Sequence, residues 1–425
     1  MEPSIDIAVV GAGVIGVACA TRLQLAGFKV LLLDRDQPGH GCSLGNAGHF
    51  ATEQVLPLAS LQLLPKIPRM LLDPLGPVAI RPAYLARITP WLLRFLWQAR
   101  PSAVASGTQA ISQLNHASLD AWKRLLRQVS GEQHLISKGS LLVFETEQAF
   151  RAYQSTLGQL RDQQVMTEHL TGDQARDLEP NLAHQVRHAV LFPDTGHTPD
   201  PLALTQCMVQ AFVQAGGKLL REEVTRLGVS DQGCEIATQQ GRHHVPRIVL
   251  ATGAWSARWL EQLCGIRVPL DTERGYHLMF PELRSSLSIP VSSAERKFIM
   301  TPMAAGLRCA GTVEFGGLTL GPDMRRADML RQHAAGLLPD MGLLPGLDIQ
   351  PGQRWMGHRP SLPDSLPIID RCGPQGRVML AFGHQHLGLT QAAITAEMIE
   401  SLVTGQPSLL DIKAYSLNRF RKNIR

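Results

Sequence analysis

The chain has 425 residues, more than the roughly 250–300 at which a single hydrophobic core stops growing, so two domains are expected. A hydrophobic fraction of 44% and a charged fraction of 18% are those of a globular protein, and 41 basic against 36 acidic residues give a thin excess of +5 that points to no nucleic-acid partner. The seven cysteines are scattered with no pair at CxxC spacing, which argues against a zinc site and a disulfide framework and for a reducing, cytoplasmic setting.

The start Met1-Glu2-Pro3-Ser4 lacks the basic residues of a secretory signal, so the mature protein is expected to begin near Met1. No run of ~18 apolar residues occurs, so no membrane-spanning helix is predicted; peripheral membrane contact stays open. Ile5 to Val10 is a short β-branched apolar run, the pattern of a parallel strand buried on both faces. A glycine turn follows, Val14 to Ala26 reads as a helix stopped by Gly27, and Lys29 to Leu33 reads as a second buried strand. From Leu56 to Arg100 the composition shifts to leucine, proline, arginine and tryptophan, predicting short broken helices. Here Trp91, Phe95 and Trp97 stand beside Arg87, Arg94 and Arg100.

A helix is predicted over Gln113 to Arg127 and a strand over Gly139 to Phe144. Further on come a helix from Pro201 to Gly216, a strand from Arg247 to Ala251, strand-like stretches from Tyr276 to Phe315 and a helix from Arg325 to Leu338. A strand at Val378 to Ala381 and a helix from Thr390 to Leu402 close the pattern, and the basic end Arg419 to Arg425 reads as a solvated tail. The fold class is therefore α/β: a Rossmann-like nucleotide-binding domain interleaved with an α+β substrate domain. The expected boundaries are 1–60, 195–268 and 352–425 for the first, and 61–194 and 269–351 for the second.

Gly11-Ala12-Gly13-Val14-Ile15-Gly16 lies between a strand and a helix, where the first glycine permits a tight turn and the second lets backbone approach a pyrophosphate. The third permits close helix packing, and the helix N-terminus then faces the phosphates. Asp34 ends the second strand, placed to accept from the hydroxyls of an unphosphorylated ribose, with Arg35 beside it. Ser43, Asn46, Ala47 and Gly48 form a small-residue loop suited to packing along a flavin, which favours FAD over NAD. Ala251, Thr252 and Gly253 let backbone approach the cofactor, and Val224 is placed to flank the adenine; for these the alternative is plain loop packing.

Trp355-Met356-Gly357-His358-Arg359-Pro360, Pro363-Asp364, Pro367-Ile368-Ile369 and Gly383-His384-Gln385-His386-Leu387-Gly388-Leu389-Thr390 together resemble the D-amino-acid dehydrogenase branch of the D-amino-acid oxidase superfamily. The resemblance runs over nearly the whole chain, including Lys138-Gly139-Ser140-Leu141. It implies noncovalent FAD, since no cysteine stands beside Trp355 to Arg359, and it implies that Arg359 grips the substrate carboxylate. An alternative for Arg359 is a structural pair with Asp364. The Gly383 to Thr390 turn, with His386, Leu387, Gly388 and Leu389, is implied to lie near the flavin pyrimidine ring. His384 is the favoured one of its two histidines for the site.

His49, Arg274 and Tyr276 resemble substrate-facing or lid positions of relatives, with core or surface packing as the alternative. Asp370 stands where relatives have glycine, which leaves a contact near the flavin in question. The implied reaction is oxidative deamination of a D-amino acid, or of a D-proline-like secondary amine, by hydride transfer from Cα to flavin N5. Electrons would pass to a quinone or acceptor protein, with the tryptophan and arginine cluster resting on the inner face of a membrane; packing within the substrate domain is the alternative for that cluster. The alternatives are a glycine or sarcosine-type oxidase using oxygen, a flavin subunit of a larger complex, and an NAD-dependent dehydrogenase.

Overall fold

The computed structural model describes residues 5–59, 75–339, 342 and 350–421. The first strands in chain order are β1 (Ile7–Val10), β2 (Val30–Asp34), β3 (His49–Phe50), β4 (Val78–Ile80), β5 (Ser140–Phe144), β6 (Glu168–Thr171), β7 (His188–Phe192), β8 (Gly196–His197), β9 (Lys218–Arg221) and β10 (Val224–Ser230). They are followed by β11 (Gly233–Thr238), β12 (Arg242–Val245), β13 (Arg247–Leu250), β14 (Asp271–Phe280), β15 (Val291–Ser293), β16 (Phe298–Met303), β17 (Gly306–Phe315), β18 (Arg354–Ser361), β19 (Ile368–Cys372) and β20 (Val378–Phe382). The helices are α1 (Val14–Leu25), α2 (Leu85–Gln98), α3 (Pro101–Gln128), α4 (Glu147–Asp162), α5 (Gly172–Leu178), α6 (Pro201–Gln214), α7 (Ser256–Cys264), α8 (Arg325–Leu337) and α9 (Gly388–Thr404).

Near-continuous apolar strands form a sheet covered on both faces, in the order β19-β20-β13-β1-β2-β9, parallel except for β19. Period-two alternation divides its side chains. Ile7, Val9, Val30, Leu32, Val249 and Met379 join α1, α3, α6 and α9 in one core. Ala8, Val10, Leu31, Leu33, Ile248 and Leu250 join α7 and the antiparallel sheet β10-β11-β12 in another. The chain leaves β1 for β2 on one side and reaches β13 on the other, so a crevice opens at the carboxyl ends of these strands. Gly11, with φ +104, and Gly16 sit at its base, and a Cβ on Gly16 would lie 1.8 Å from the Gly11 carbonyl oxygen. Only glycine lets α1 start this close to the strand.

A second sheet, β18-β14-β17-β16-β15-β5-β7-β6 with β4 beside β17, roofs the crevice. Two departures from the expected boundaries follow from pairing. The Gly-x-Arg-Pro element is strand β18, hydrogen-bonded along β14 from Asp271↔Ser361 to Leu278↔Arg354, so residues 354–361 belong to the second sheet. Helix α3, expected on the substrate side, packs on the nucleotide layer, where Trp122 donates its indole N–H to the carbonyls of Leu389 and Thr390.

Two further expectations are corrected. The stretch read as short broken helices contains one continuous helix, α2, despite Pro90, because Ile88 and Trp91 pin one face into the apolar cluster with Phe315. Residues 60–74 of that stretch, the start Met1 to Ser4 and the tail residues 422–425 lie outside the described residues. Asp370 makes no cavity contact: it accepts from Ser416 Oγ and Leu417 N, both at 2.7 Å, and so ties the C-terminal segment to β19.

Candidate active site

The crevice continues into a cavity of about 1820 Å³ between the two sheets, larger than the roughly 300–1,000 Å³ of a single small-molecule site. Gly11, Gly13, Val14 and Ile15 line one end, with the N-terminus of α1 facing in. A Cβ on Gly13 would meet only Ser43 Oγ, at 3.4 Å, so the backbone here is open to a ligand. Asp34 and Arg35 lie beside it; Asp34 accepts from the backbone N–H of Ala12 at 2.6 Å and from that of Asp36 at 3.0 Å. Arg35 sits 4.8 Å from the Trp255 ring, and Val224, Ala251, Thr252 and Gly253 complete this end. Such an open glycine turn at a helix N-terminus, followed by a carboxylate at the end of the next strand, fits a dinucleotide's pyrophosphate and ribose.

The loop from Ser43 to Gly48 runs along the middle of the cavity. Ser43 Oγ accepts from Val14 N at 2.9 Å, and Asn46 Oδ1 accepts from Gly48 N at 2.8 Å. Its backbone is pinned from the second sheet by two residues that sequence reasoning missed. Arg308 donates to the carbonyls of Leu44 and Asn46, and His277 Nδ1 lies 3.0 Å from that of Gly45. Burial pulls the His277 pKa down to about 3, so the ring is neutral and donates through Nδ1. Ser43, Asn46 and Ala47 line the cavity, while Gly48 does not.

Arg359 also lines the cavity. Its guanidinium lies across Gly275 of β14, where a Cβ would stand 2.2 Å from Nη2, and among the described residues its one hydrogen bond is Nη1 to the Thr312 carbonyl at 3.3 Å. Asp364 is not its partner, because that carboxylate takes Arg419 at 2.7 Å. Glu273, buried and opposite Arg359 in the β14–β18 register, also lines the cavity; its carboxyl is held above its usual range by burial, against the pull of Ser361 and Arg359.

Arg274 has no such freedom. It is fully buried, outside the cavity lining, and donates to the carbonyls of Gly316, Gly317, Leu320 and Gly321 and to Glu314 Oε1. With every N–H used, it is a structural residue, which corrects its expected substrate role. Tyr276 lines the cavity, but its hydroxyl is turned to Glu314 Oε1 at 3.0 Å and the Asp323 N–H at 3.1 Å.

Both histidines of the Gly383 to Thr390 turn reach the cavity, as do Gly388 and Leu389. His384 is buried with Nε2 3.0 Å from Thr395 Oγ1, and burial lowers its pKa to about 3. His386 is the one that feels Arg359, since burial and then that charge lower it to about 4. Gly383, Leu387 and Thr390 do not line the cavity. Thr390 Oγ1 accepts from Ala51 N at 2.9 Å, stitching the loop after β3 to α9.

His49 lines the wall together with Glu53, another residue without a sequence signal. The cavity therefore joins a dinucleotide cradle, a glycine-lined loop and an underused guanidinium, which suits holding an organic cofactor against a small carboxylate.

A family profile described as FAD dependent oxidoreductase matches residues 6–402. The chain is 32% identical over 425 residues to the D-amino-acid oxidase of Bradyrhizobium diazoefficiens, covering 97% of this chain and 98% of that protein. It is 25% identical over 421 residues to a D-amino acid dehydrogenase of Vibrio vulnificus, covering 96% and 99%. Among solved structures, glycine oxidase from Geobacillus kaustophilus superposes with a TM-score of 0.74 at 21% identity, over 97% of this chain and 98% of that one. L-proline dehydrogenase from P. horikoshii gives 0.76 at 18%, over 99% of each chain. These two likenesses speak for the fold alone.

Proposed function

The chain belongs to the FAD-dependent oxidoreductase family, and on that premise we propose that it oxidatively deaminates a D-amino acid or a D-proline-like secondary amine and passes the electrons to a quinone or protein acceptor. Bound FAD supplies the redox chemistry. Gly11, Gly13, Asp34 and the Ser43 to Ala47 loop hold it noncovalently; the cavity's Cys42 is a poor nucleophile there, burial pushing its thiol up to about 11. Arg359 grips the substrate carboxylate with the N–H groups that no described residue takes, which fixes Cα for reaction. The apolar walls exclude water until the imino acid leaves and hydrolyses.

The observation that carries this reading is the pairing of one uncommitted guanidinium with a dinucleotide cradle in a single cavity. Anaerobic mixing of the FAD-loaded protein with a panel of D-amino acids is expected to bleach the visible flavin absorbance, and a quinone or dye to restore it faster than oxygen. If no D-amino or secondary amino acid bleaches the flavin, the reading fails.

The quinone reading is favoured by α2. One of its faces gives Trp91, Leu92, Phe95 and Leu96 to the cavity, while Leu85, Leu93 and Trp97 stand 50%, 63% and 63% exposed. No acidic residue occurs from Leu75 to Leu119, whereas Arg81, Arg87, Arg94 and Arg100 do. Among the described residues no helix is long and apolar enough to cross a membrane, so contact would be by this face lying on an anionic lipid surface. Co-sedimentation with anionic but not neutral vesicles, lost in Leu93→Asp/Trp97→Asp, is the expected result; equal recovery with both lipids would remove this part of the reading.

A further inference from the structure

The His49–Glu53 pair is more than a wall. His49 Nδ1 lies 3.1 Å from the Gly196 carbonyl oxygen, and Nε2 lies 3.1 Å from Glu53 Oε1. A carbonyl only accepts, so Nδ1–H donates to Gly196, and Nε2 pairs with Glu53 Oε1. Burial opposes charge on the ring, yet the Glu53 carboxylate, its hydrogen bond and the Gly196 carbonyl together raise the His49 pKa above the ordinary imidazole value.

That leaves the second carboxylate oxygen. Glu53 Oε2 is buried and has no hydrogen-bond partner among the described residues, although its side chain is only 11% exposed. Val55, Phe144, Leu160 and Tyr153 line the same cavity, and Tyr153, near enough to feel Glu53, makes no hydrogen bond to this oxygen. A buried carboxyl oxygen left unpaired costs free energy, and one retained on a residue of the cavity wall calls for a donor that the described residues do not supply. Arg359 takes the carboxylate end of the substrate from β18; Glu53 stands on a different element, after β3.

We propose that Glu53 Oε2 receives a hydrogen-bond donor on the substrate's side chain, an ammonium, guanidinium or hydroxyl group, and so selects amino acids that carry one. This rests on the amino-acid reading above. His49 acts as a positioning residue, fixing the carboxyl group through its bond to Oε1.

The test uses the FAD-loaded full chain and matched pairs: D-lysine with D-norleucine, 4-hydroxy-D-proline with D-proline, and D-threonine with D-valine. The ammonium and hydroxyl arms separate the two kinds of donor. At least one donor-bearing member is expected to exceed its partner in kcat/KM by about tenfold or more, because a site built to pair a donor discriminates against the analogue lacking it. Glu53→Leu is expected to bring that ratio to about one. Glu53→Gln, which preserves size and the bond to His49, is expected to lose the ammonium preference while keeping part of the hydroxyl preference. Flavin content and visible spectrum report whether each variant still folds around its cofactor.

The proposal is overturned if the wild type discriminates within no pair, or if both variants lower the two members of a pair equally. Turnover of the apolar members without any preference would sink this inference alone. No flavin reduction by any of the six would sink the underlying reading with it.

Discussion

Arg274 and Arg359 lie on neighbouring strands, and their hydrogen bonding separates their roles. Arg359→Lys is expected to lower kcat/KM by about tenfold to a hundredfold, chiefly through KM, since a hydrogen bond to a charged group contributes about 1.5–3 kcal/mol and lysine lacks the planar fork. Its thermal midpoint should stay put; a variant with unchanged KM would remove Arg359 from the substrate. Arg274→Met is expected to act the other way, destabilising by about 3–5 kcal/mol in urea titrations, because Glu314 loses its buried partner. The sequence motif marked Arg359 because Gly-x-Arg-Pro is a local signature. It misled at Arg274, because which residues of a strand face a cavity depends on pairing partners far along the chain. His277 and Arg308 had no local signal at all, since their partners Gly45 and Leu44 become neighbours only in the fold, and Glu53, though only four residues from His49, stands in no motif that marks a cavity wall.

At the scale of elements, the glycine turn makes two predictions that differ. Gly16→Ala would drive a methyl into the Gly11 carbonyl, so both stability and flavin content per purified chain are expected to fall. Gly13, with φ −69 and open space ahead of its Cβ, tolerates alanine in the fold, so Gly13→Ala should keep its urea midpoint and lose FAD retention. Equal flavin content in Gly13→Ala and wild type would place the cofactor elsewhere. The βαβ opening was legible because strands buried on both faces leave unbroken apolar runs. Helix α3 was half legible: before Gln113 it buries Gly107, Thr108 and Ser112 beside only Ala110 and Ile111, too thin an apolar stripe to mark its start. Strand β18 was quoted as a motif but not as a strand, since Pro360 and Arg359 obscure any alternation that pairing with β14 imposes.

For the whole molecule, buried histidines set the response to acid. Burial lowers His277 and His384 to about 3, and His197, His358 and His386 to about 4. Their folded pKa values lie below the unfolded value near 6.5, so the unfolded chain binds more protons as pH falls below that value and stability drops from there toward 4. His49, raised instead, contributes below the ordinary imidazole value and loses that contribution as pH rises through its folded pKa. The buried carboxyls of Asp271 and Glu273, held above their usual range, also oppose the trend at its acid end. Five groups outweigh these three, and the urea midpoint is expected to be lower at pH 5 than at pH 7; a flat profile would contradict the burial assigned to these rings.

The interleaved strand order has a consequence during synthesis. The glycine turn is complete within the first twenty residues, but β1 waits for β13 at Arg247–Leu250 and the neighbouring β20 for Val378–Phe382. At roughly 5–20 residues per second, a ribosome needs about ten to fifty seconds to deliver the strand that covers one flank of β1. Throughout that interval the nascent chain displays an uncapped apolar edge, the kind of surface that chaperones hold. The nucleotide sheet therefore closes only after β20, far downstream of β1, has been made.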